Sequence, residues 1–191
     1  AAKISMKAVM EKREKYFAEN SKKLAFDSFF VFALSKLLPK YENFRSKIAG
    51  EQLKVISQAN IGVAVDYENN LYIPVIKNSD KLSLVQIDDK LKELVKEIKT
   101  GLPAPASMAN GILTISNLGM YEIESFTAVI PPNQSGILTI GKTENMPVFD
   151  SNTFKFEPIV KVILTVDHRL INGSEAAMFL SELKESIENI E

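Results

Sequence analysis

The sequence lacks cysteine and tryptophan altogether and has a single histidine among its 191 residues. Without cysteine, the protein can form no disulfide, no thiolate nucleophile and no cysteine-ligated zinc or iron–sulfur centre. One histidine also leaves little for a histidine-ligated metal. Carboxylate metal sites stay open, but no pattern in the sequence supports one. The composition therefore excludes thiol chemistry by the protein itself and argues against a metal cofactor.

A dominant charge and long hydrophobic runs are lacking as well. The 23 Lys+Arg balance 24 Asp+Glu, for a formal net charge of −1, whereas nucleic-acid binding usually shows as a strong basic excess or stripe. The apolar run at residues 29–34 is six long, far short of the roughly 18–20 apolar residues of a membrane-spanning helix. We therefore expect neither nucleic acid nor a membrane as the partner.

What is present fits a folded enzyme or an assembly module. Hydrophobic residues make up 46% of the chain and charged residues 25%, close to the average of globular proteins. At roughly 100–200 residues per domain, the length predicts one domain, or two very small ones.

Hydrophobic periodicity predicts four helices. Residues 3–19 mix apolar and charged positions as an amphipathic helix does. A run that is apolar on nearly all sides follows Asp27 and stops at Pro39, which indicates a buried helix with Asp27 as its N-cap. Residues 83–99 carry apolar side chains at steps of three and four, behind a serine and a glutamine spaced as in a capping box. A last helix follows Ser174, its expected N-cap.

Other segments have the composition of β-strands. Residues 61–76 contain two β-rich runs joined by a polar turn and predict a hairpin, in which Pro74 needs an unpaired position or a bulge. Residues 112–116 and 136–140 are short strands that end at turns containing glycine. Residues 159–166 are almost wholly apolar, as in a strand buried on both faces. Together with the helices, these strands predict an α/β fold.

The one histidine, His168, follows the most buried predicted strand and precedes the last helix. Such loops often carry reactive groups, because rigid elements hold them on both sides. Asp167 and Arg169 flank the imidazole, and Asn172 with Gly173 supplies a tight turn that can fix it. By position alone, a structural or surface histidine is favoured over a catalytic one, since a single histidine carries no spacing information.

Four ordered blocks resemble one protein family. Residues 167–173, Asp-His-Arg-Leu-Ile-Asn-Gly, resemble the Asp-His-Arg-x-x-Asp-Gly signature of the dihydrolipoamide acyltransferases, the core component of 2-oxoacid dehydrogenase complexes. Residues 61–76 are similar to the Gly-Val-Ala-Val and Pro-Val hairpin of that family, and residues 111–120 to its Thr-Ile-Ser-Asn-Leu-Gly segment. Residues 126–141 match the stretch that follows.

The resemblance implies a chloramphenicol-acetyltransferase-like fold, with a mixed β-sheet flanked by helices. It implies a homotrimer with active sites between subunits, and trimers that build a cubic or dodecahedral core. The implied reaction moves an acyl group between the dihydrolipoyl arm of a separate lipoyl domain and coenzyme A, with no metal. The implied partners are the 2-oxoacid dehydrogenase and dihydrolipoamide dehydrogenase components, in the mitochondrial matrix of a eukaryote or the cytoplasm of a bacterium.

The resemblance also implies roles for particular residues. His168 would be the general base that takes the thiol proton, and Ser116 would hydrogen-bond the oxyanion of the tetrahedral intermediate. In the family these two groups come from different subunits. The absence of cysteine agrees with this chemistry, because both thiols arrive on the substrates. By its position alone, Ser116 is more simply a serine that caps a strand end or turn.

Some positions depart from the family pattern. Asn172, the third candidate site residue, stands where the signature has aspartate, so a negative charge that could support a histidinium is lost. The usual Asn-Pro-Pro appears as Pro-Pro-Asn at residues 131–133, and Asn70 stands where glycine is common. These differences leave open a weakly active or structural core subunit of the same complex. The fold also leaves open a stand-alone acetyltransferase acting on a small molecule.

The resemblance also bears on the extent of the domain and on the acyl group. It implies that residues 1–191 are a catalytic core domain lacking its N-terminal segment, without the lipoyl and peripheral-subunit-binding domains. Residues 1–60 match only loosely. Residues 116–120, followed by residues 126–128, look more like the acetyl-transferring members of pyruvate or acetoin complexes than like the succinyl or branched-chain ones.

Overall fold

The computed structural model describes residues 1–101, 103–150 and 153–190. The helices in these ranges are α1 (Lys7–Asn20), α2 (Phe26–Leu37), α3 (Leu84–Lys99) and α4 (Gly173–Glu188). The strands are β1 (Ala2–Ser5), β2 (Ser46–Ala49), β3 (Gln52–Val55), β4 (Ile61–Val63), β5 (Val65–Tyr67), β6 (Asn70–Tyr72), β7 (Val75–Ile76), β8 (Leu113–Asn117), β9 (Gly136–Asp150) and β10 (Thr153–Val166).

Six of these strands form one mixed sheet in the order β1-β10-β9-β8-β4-β7. β8 runs parallel to both of its neighbours, β4 and β9, and the remaining pairs are antiparallel. Two small sheets, β2 with β3 and β5 with β6, lie outside it. The mixed sheet with its helices confirms the predicted α/β architecture.

The core is centred on α2, which packs against α3 and α4 and against the strands β4 and β8. Phe29, Phe30 and Leu34 of this helix have no exposed surface, because the helix is apolar on nearly all sides. The predicted N-cap of this helix is wrong. Its N-cap is Ala25, and Asp27 lies in the first turn, where its side chain meets the sheet instead.

The beginnings of α1 and α4 also differ from the prediction. Ala2–Ser5 is an edge strand that pairs antiparallel with β10, and α1 starts only at Lys7. A strand of four residues is too short to show a period, so the helical pattern of the following residues extended over it. α4 is capped by Asn172, whose side-chain oxygen accepts a hydrogen bond from the Glu175 N–H, and not by Ser174.

The segment 61–76 forms the predicted hairpin. β4 pairs with β7 and β5 with β6, and both pairs are antiparallel. The turn residues Glu68 and Asn69 have φ of 51° and 59°, the left-handed conformation that two-residue hairpin turns require. Pro74 lies in the break between β6 and β7, where its carbonyl accepts a hydrogen bond from the Val63 N–H at 2.9 Å. The proline therefore occupies an irregular position, as its missing donor demands.

The hairpin of β9 and β10 is much longer than the predicted strands at 136–140 and 159–166. It extends to Asp150 on one strand and begins at Thr153 on the other, with a register shift between Val160 and Val162. Beyond that shift, Phe149, Phe154 and Phe156 are 64%, 75% and 71% exposed. The sequence pattern missed this outer half because charged residues and prolines interrupt it, which is typical of loops.

Candidate active site

His168 lies on a turn that is anchored at both ends. The Asp167 N–H donates to the Ser135 carbonyl at 2.8 Å, and the Asp167 carbonyl accepts from the N–H groups of Leu170 and Ile171 at 2.9 and 3.0 Å. The side chains of Leu170 and Ile171 are buried, so they hold the end of the turn against the core. The imidazole of His168 is exposed. Within the described ranges, no side chain forms a hydrogen bond with it.

The neighbours of His168 form a local ion pair with each other. The Arg169 guanidinium donates to both carboxylate oxygens of Asp167, with Nη2 at 2.6 Å from Oδ2 and Nε at 3.0 Å from Oδ1. The Arg169 backbone N–H donates to the same carboxylate at 3.0 Å. These bonds lower the pKa of the Asp167 carboxyl. Asp167 is therefore ionised and next to His168 in the sequence, but its carboxylate accepts hydrogen bonds from Arg169 and not from the imidazole.

Asn172 ends this turn as the N-cap of α4. Its Oδ1 accepts from the Glu175 N–H at 2.9 Å and from the Ser174 hydroxyl at 2.7 Å. Aspartate and asparagine cap helices about equally well. The replacement of the signature aspartate therefore keeps the structural role of this position.

Ser116 lies near the end of β8, in the middle of the sheet. It faces Thr139 of β9 in the parallel register. Backbone bonds hold the strand end on both sides: the Ala64 N–H donates to the Ile115 carbonyl at 2.8 Å, and the Leu118 N–H donates to the Ile140 carbonyl at 3.1 Å. The hydroxyl of Ser116 makes no hydrogen bond with any described residue. A rigid strand thus holds an available donor, which is the requirement for stabilising an oxyanion.

The two candidate groups do not meet within one chain. Val166, at the end of β10, lies level with Gly136 of β9, which pairs with Leu113 of β8. His168 therefore lies beyond the end of the sheet at which Leu113 is found, and two strands away from β8. Ser116 lies on β8 itself, three residues after Leu113 and away from that end. With strands about 4.8 Å apart and a rise of about 3.3 Å per residue, the separation is on the order of 15 Å. Each group has to lie about 3 Å from the reacting thioester, and a backbone separation of this size is wide for two groups of one chain acting on one thioester.

The sequence did not indicate a half-buried pair next to Ser116, formed by Asp27 and Asn117. Asp27 of α2 accepts a hydrogen bond from the Asn117 side-chain amide at 2.7 Å, and the Asn117 Oδ1 accepts from the Gly119 N–H at 2.9 Å. Burial raises the pKa of the Asp27 carboxyl. The one signal in the sequence is an acidic residue at the start of an otherwise apolar helix, and that pattern is typical of an N-cap.

The described residues lack the features of two other kinds of site. Within 1–101, 103–150 and 153–190, no three side chains of histidine, cysteine, aspartate or glutamate converge to hold a metal ion. Over the same part of the chain, no helix has the length and apolar character needed to cross a membrane.

The sheet order, the exposed His168 imidazole and the half-buried Ser116 hydroxyl fit one class of protein: an acyltransferase with the chloramphenicol acetyltransferase fold. The whole chain, residues 1–191, matches the family model of the 2-oxoacid dehydrogenases acyltransferase (catalytic domain). The chain belongs to this family, as the sequence motifs predicted.

The curated relatives include two kinds of acyltransferase. The chain is 35% identical over 192 residues to the dihydrolipoyllysine-residue succinyltransferase component of the 2-oxoglutarate dehydrogenase complex of Rickettsia felis, covering 98% of this chain and 48% of the relative. It is 31% identical over 182 residues to the acetyltransferase component of the pyruvate dehydrogenase complex of the same organism, covering 95% and 44%. The chain spans about half the length of these relatives. Since the two are similarly close, the acetyl preference stays a prediction.

Solved structures share the fold. The cubic core of the pyruvate dehydrogenase multienzyme complex aligns with a TM-score of 0.93 at 28% identity, covering 99% of this chain and 80% of that one. Chloramphenicol acetyltransferase aligns with a TM-score of 0.61 at 12% identity, covering 98% of this chain and 85% of that one. This second alignment confirms the predicted fold.

A third solved structure has three residues with the same spacing as Ser116, His168 and Asn172. The dihydrolipoamide acetyltransferase of Azotobacter vinelandii aligns with a TM-score of 0.93 at 28% identity, covering 99% of this chain and 80% of that one, and was determined to investigate a serine, a histidine and an asparagine in its catalytic mechanism. In that protein the histidine follows the serine by 52 positions, and the asparagine follows the histidine by 4. Ser116, His168 and Asn172 have the same separations of 52 and 4.

Proposed function

We propose that this chain is the catalytic core domain of a dihydrolipoyllysine-residue acyltransferase, which moves an acyl group between dihydrolipoyl-lysine and coenzyme A in a 2-oxoacid dehydrogenase complex. One observation carries the proposal. Ser116, His168 and Asn172 keep the spacing of the three residues investigated in the Azotobacter enzyme. The structure leaves the side chains of Ser116 and His168 unpartnered among the described residues.

The chemistry needs only two groups from the protein. In the direction from coenzyme A to lipoyl, His168 takes the proton of the dihydrolipoyl thiol, and the resulting thiolate attacks the carbonyl of the acyl thioester. Ser116 donates a hydrogen bond to the oxyanion of the tetrahedral intermediate. When the intermediate collapses, the coenzyme A thiolate leaves and receives the proton from His168. The lack of cysteine agrees with this scheme, because both sulfurs belong to the substrates.

The proposal includes an assembly with composite sites. We expect His168 of one chain to meet Ser116 of another in a homotrimer, and the trimers to build a cubic or dodecahedral core. The separation of about 15 Å within one chain supports two contributing chains. The exposed phenylalanines of the β9–β10 hairpin support contacts with other chains, because apolar surface of this kind marks interaction sites.

The proposed partners follow from the same assignment. They are a lipoyl domain and the 2-oxoacid dehydrogenase and dihydrolipoamide dehydrogenase components. The proposed compartment is the mitochondrial matrix in a eukaryote and the cytoplasm in a bacterium.

Acetyl is the proposed acyl group. The residues at 116–120 and 126–128 support it, and the similarity to a pyruvate dehydrogenase component is compatible with it. We expect a higher kcat/KM with acetyl-CoA than with succinyl-CoA when dihydrolipoamide is the acceptor. A preference for succinyl-CoA would contradict this part of the proposal and leave the acyltransferase assignment standing.

Asn172 offers no reason to prefer an inactive core subunit. Its amide forms the helix cap that a carboxylate would form, and the Azotobacter enzyme has an asparagine at the same separation, whose role in the catalytic mechanism was investigated. A stand-alone acetyltransferase would instead acylate a free hydroxyl or amine. Acyl transfer to dihydrolipoamide therefore distinguishes it from the proposed function.

Mixing two inactive variants tests the composite site. His168→Ala and Ser116→Ala chains are dissociated, combined in equal amounts and reassembled, and acyl transfer is measured. With random mixing, about one site in four combines an intact His168 with an intact Ser116, so about a quarter of wild-type activity should return. Each variant reassembled alone is the control and should keep at most about 1% of wild-type activity. A mixture no more active than these controls would overturn the composite site.

A further inference from the structure

Asp27 is a half-buried carboxylate at the point where α2 meets the sheet. It lies in the first turn of α2, which is otherwise the most apolar helix of the chain. Among the described residues, its only hydrogen-bonding partner is the Asn117 side chain, 90 positions later in the sequence. Partial burial of a carboxyl group lowers stability unless its contacts compensate. The packing of α2 therefore does not explain why an aspartate occupies this position.

The orientation of Asn117 is determined by its two partners. Its Oδ1 must face the Gly119 N–H, which can only donate, so its Nδ2 must face Asp27. Both ends of the amide are thus used. Gly119 also lies tightly against β9, since a Cβ at this position would come within 2.7 Å of the Gly141 carbonyl oxygen. Asn117 consequently connects α2, β8 and the tight turn after β8.

The hydrogen bond between Asn117 and Asp27 also bears on the position of Ser116. Ser116 directly precedes Asn117, and successive side chains of a strand point to opposite faces. Asn117 faces α2, so Ser116 faces the other side of the sheet. With no described hydrogen-bond partner of its own, the Ser116 hydroxyl has its position set by the backbone of β8. That backbone is held on the helix side by the bond from Asn117 to Asp27.

We propose that Asp27 is a positioning residue for the acyl transfer: by accepting the Asn117 amide hydrogen bond, it holds the end of β8 so that Ser116 can donate to the oxyanion. The proposal rests on the proposed function. Asp27 itself touches neither substrate nor reacting atoms. Small displacements of an oxyanion donor have large effects on rate, so this link should matter for kcat more than for KM.

The test is a double-mutant cycle on the assembled protein. Asp27→Ala removes the acceptor, and Asp27→Asn is the matched control, because its side-chain oxygen can still accept from Asn117. Both are measured in the wild-type and in the Ser116→Ala backgrounds, with kcat and KM for dihydrolipoamide and coenzyme A thioester. Asn117→Ala removes the same link from the sheet side and replaces Asp27→Ala if that variant does not assemble.

We expect Asp27→Ala to lower kcat about tenfold with little change in KM, and Asp27→Asn to stay within about twofold of the wild type. In the Ser116→Ala background, Asp27→Ala should change kcat by less than about twofold, because the group that it positions is already gone. A purely structural role would lower kcat by the same factor in both backgrounds, and that result would overturn the inference. So would an Asp27→Asn variant as impaired as Asp27→Ala. An inactive wild-type chain would instead overturn the proposed function, and this inference with it.

Discussion

Ser116 and His168 lie in two regions that the fold holds in different ways. Ser116 is in a central strand, with a neighbouring strand on each side and the bond between Asp27 and Asn117 behind it. His168 is on an exposed turn, where the polar side-chain contacts run between Asp167 and Arg169, only two positions apart. Tertiary contacts therefore hold the backbone at both sites, but the hydroxyl sits on a strand that is paired on both sides, whereas the imidazole projects from a turn that is anchored only at its ends. An oxyanion donor must be in place before charge develops, and this requirement explains why the more rigid region carries it.

Removal of the base should give the largest effect. We expect His168→Ala to lower kcat by about 10³-fold, within the range for a general base. The thermal unfolding midpoint should not change, because the side chain is exposed and bonds to no described residue. Unchanged activity in acyl transfer from acetyl-CoA to dihydrolipoamide would rule out His168 as the base.

Removal of the oxyanion donor should come next. We expect Ser116→Ala to lower kcat by about 10²-fold with little change in KM, because the hydroxyl acts on the intermediate and not on the bound substrate. Ser83→Ala is the matched control: it removes a serine that caps α3 and should leave kcat unchanged. Equal losses in the two variants would show that the effect on kcat is not specific to Ser116.

The cap of α4 should affect stability more modestly. Asn172→Ala should lower the free energy of unfolding by about 1 kcal/mol, because the Glu175 N–H loses its acceptor. Asn172→Asp should stay within a few tenths of a kcal/mol of the wild type, since aspartate caps equally well. Chemical denaturation of both variants measures the difference. A destabilised Asn172→Asp variant would show that the position does more than cap the helix.

The smallest effects should distinguish the two regions by pH. Burial raises the pKa of Asp27, so its ionised form lowers stability above that pKa, and Asp27→Asn should be more stable than the wild type at neutral pH. Arg169 lowers the pKa of Asp167, so that carboxylate stabilises the fold at neutral pH, and Asp167→Asn should be less stable. The stability gained in Asp27→Asn should disappear as the pH falls below the ordinary aspartate pKa of about 3.9. The stability lost in Asp167→Asn should disappear at still lower pH, because the pKa of Asp167 is lowered in the folded state. Urea unfolding across this pH range measures the free energy of unfolding of both variants. If both variants were more stable than the wild type, or both less stable, the contrast between Asp27 and Asp167 would be wrong.

Local patterns predicted the parts of the fold that depend on neighbouring residues. The capping box formed by Ser83 and Gln86, and the hairpin at 61–76, were both confirmed, because caps and turns involve residues a few positions apart. The opening strand at Ala2–Ser5 was missed, because only its pairing with β10 makes it a strand. The outer half of the β9–β10 hairpin was missed for a similar reason, since cross-strand pairing overrides its polar composition.

The candidate site divides in the same way. His168 could be selected because it is the only histidine and follows a buried strand. The distance between His168 and Ser116 depends on the order of strands in the sheet, which no local pattern contains. The pair of Asp27 and Asn117 joins residues 90 positions apart, so only the folded structure brings the two together.

The β9–β10 hairpin has a consequence for hydrogen exchange. Its inner pairs, from Gly136 with Val166 to Ile140 with Val162, lie in the middle of the sheet, whereas the pairs beyond the register shift carry the exposed phenylalanines. Amide protons of the inner pairs should exchange with deuterium only on global unfolding, whereas those of the outer pairs should exchange through local opening. A single pair of strands would thus report two different opening free energies. If exchange in the outer half became slower on assembly while the inner half was unchanged, another chain would be covering the outer half of the hairpin.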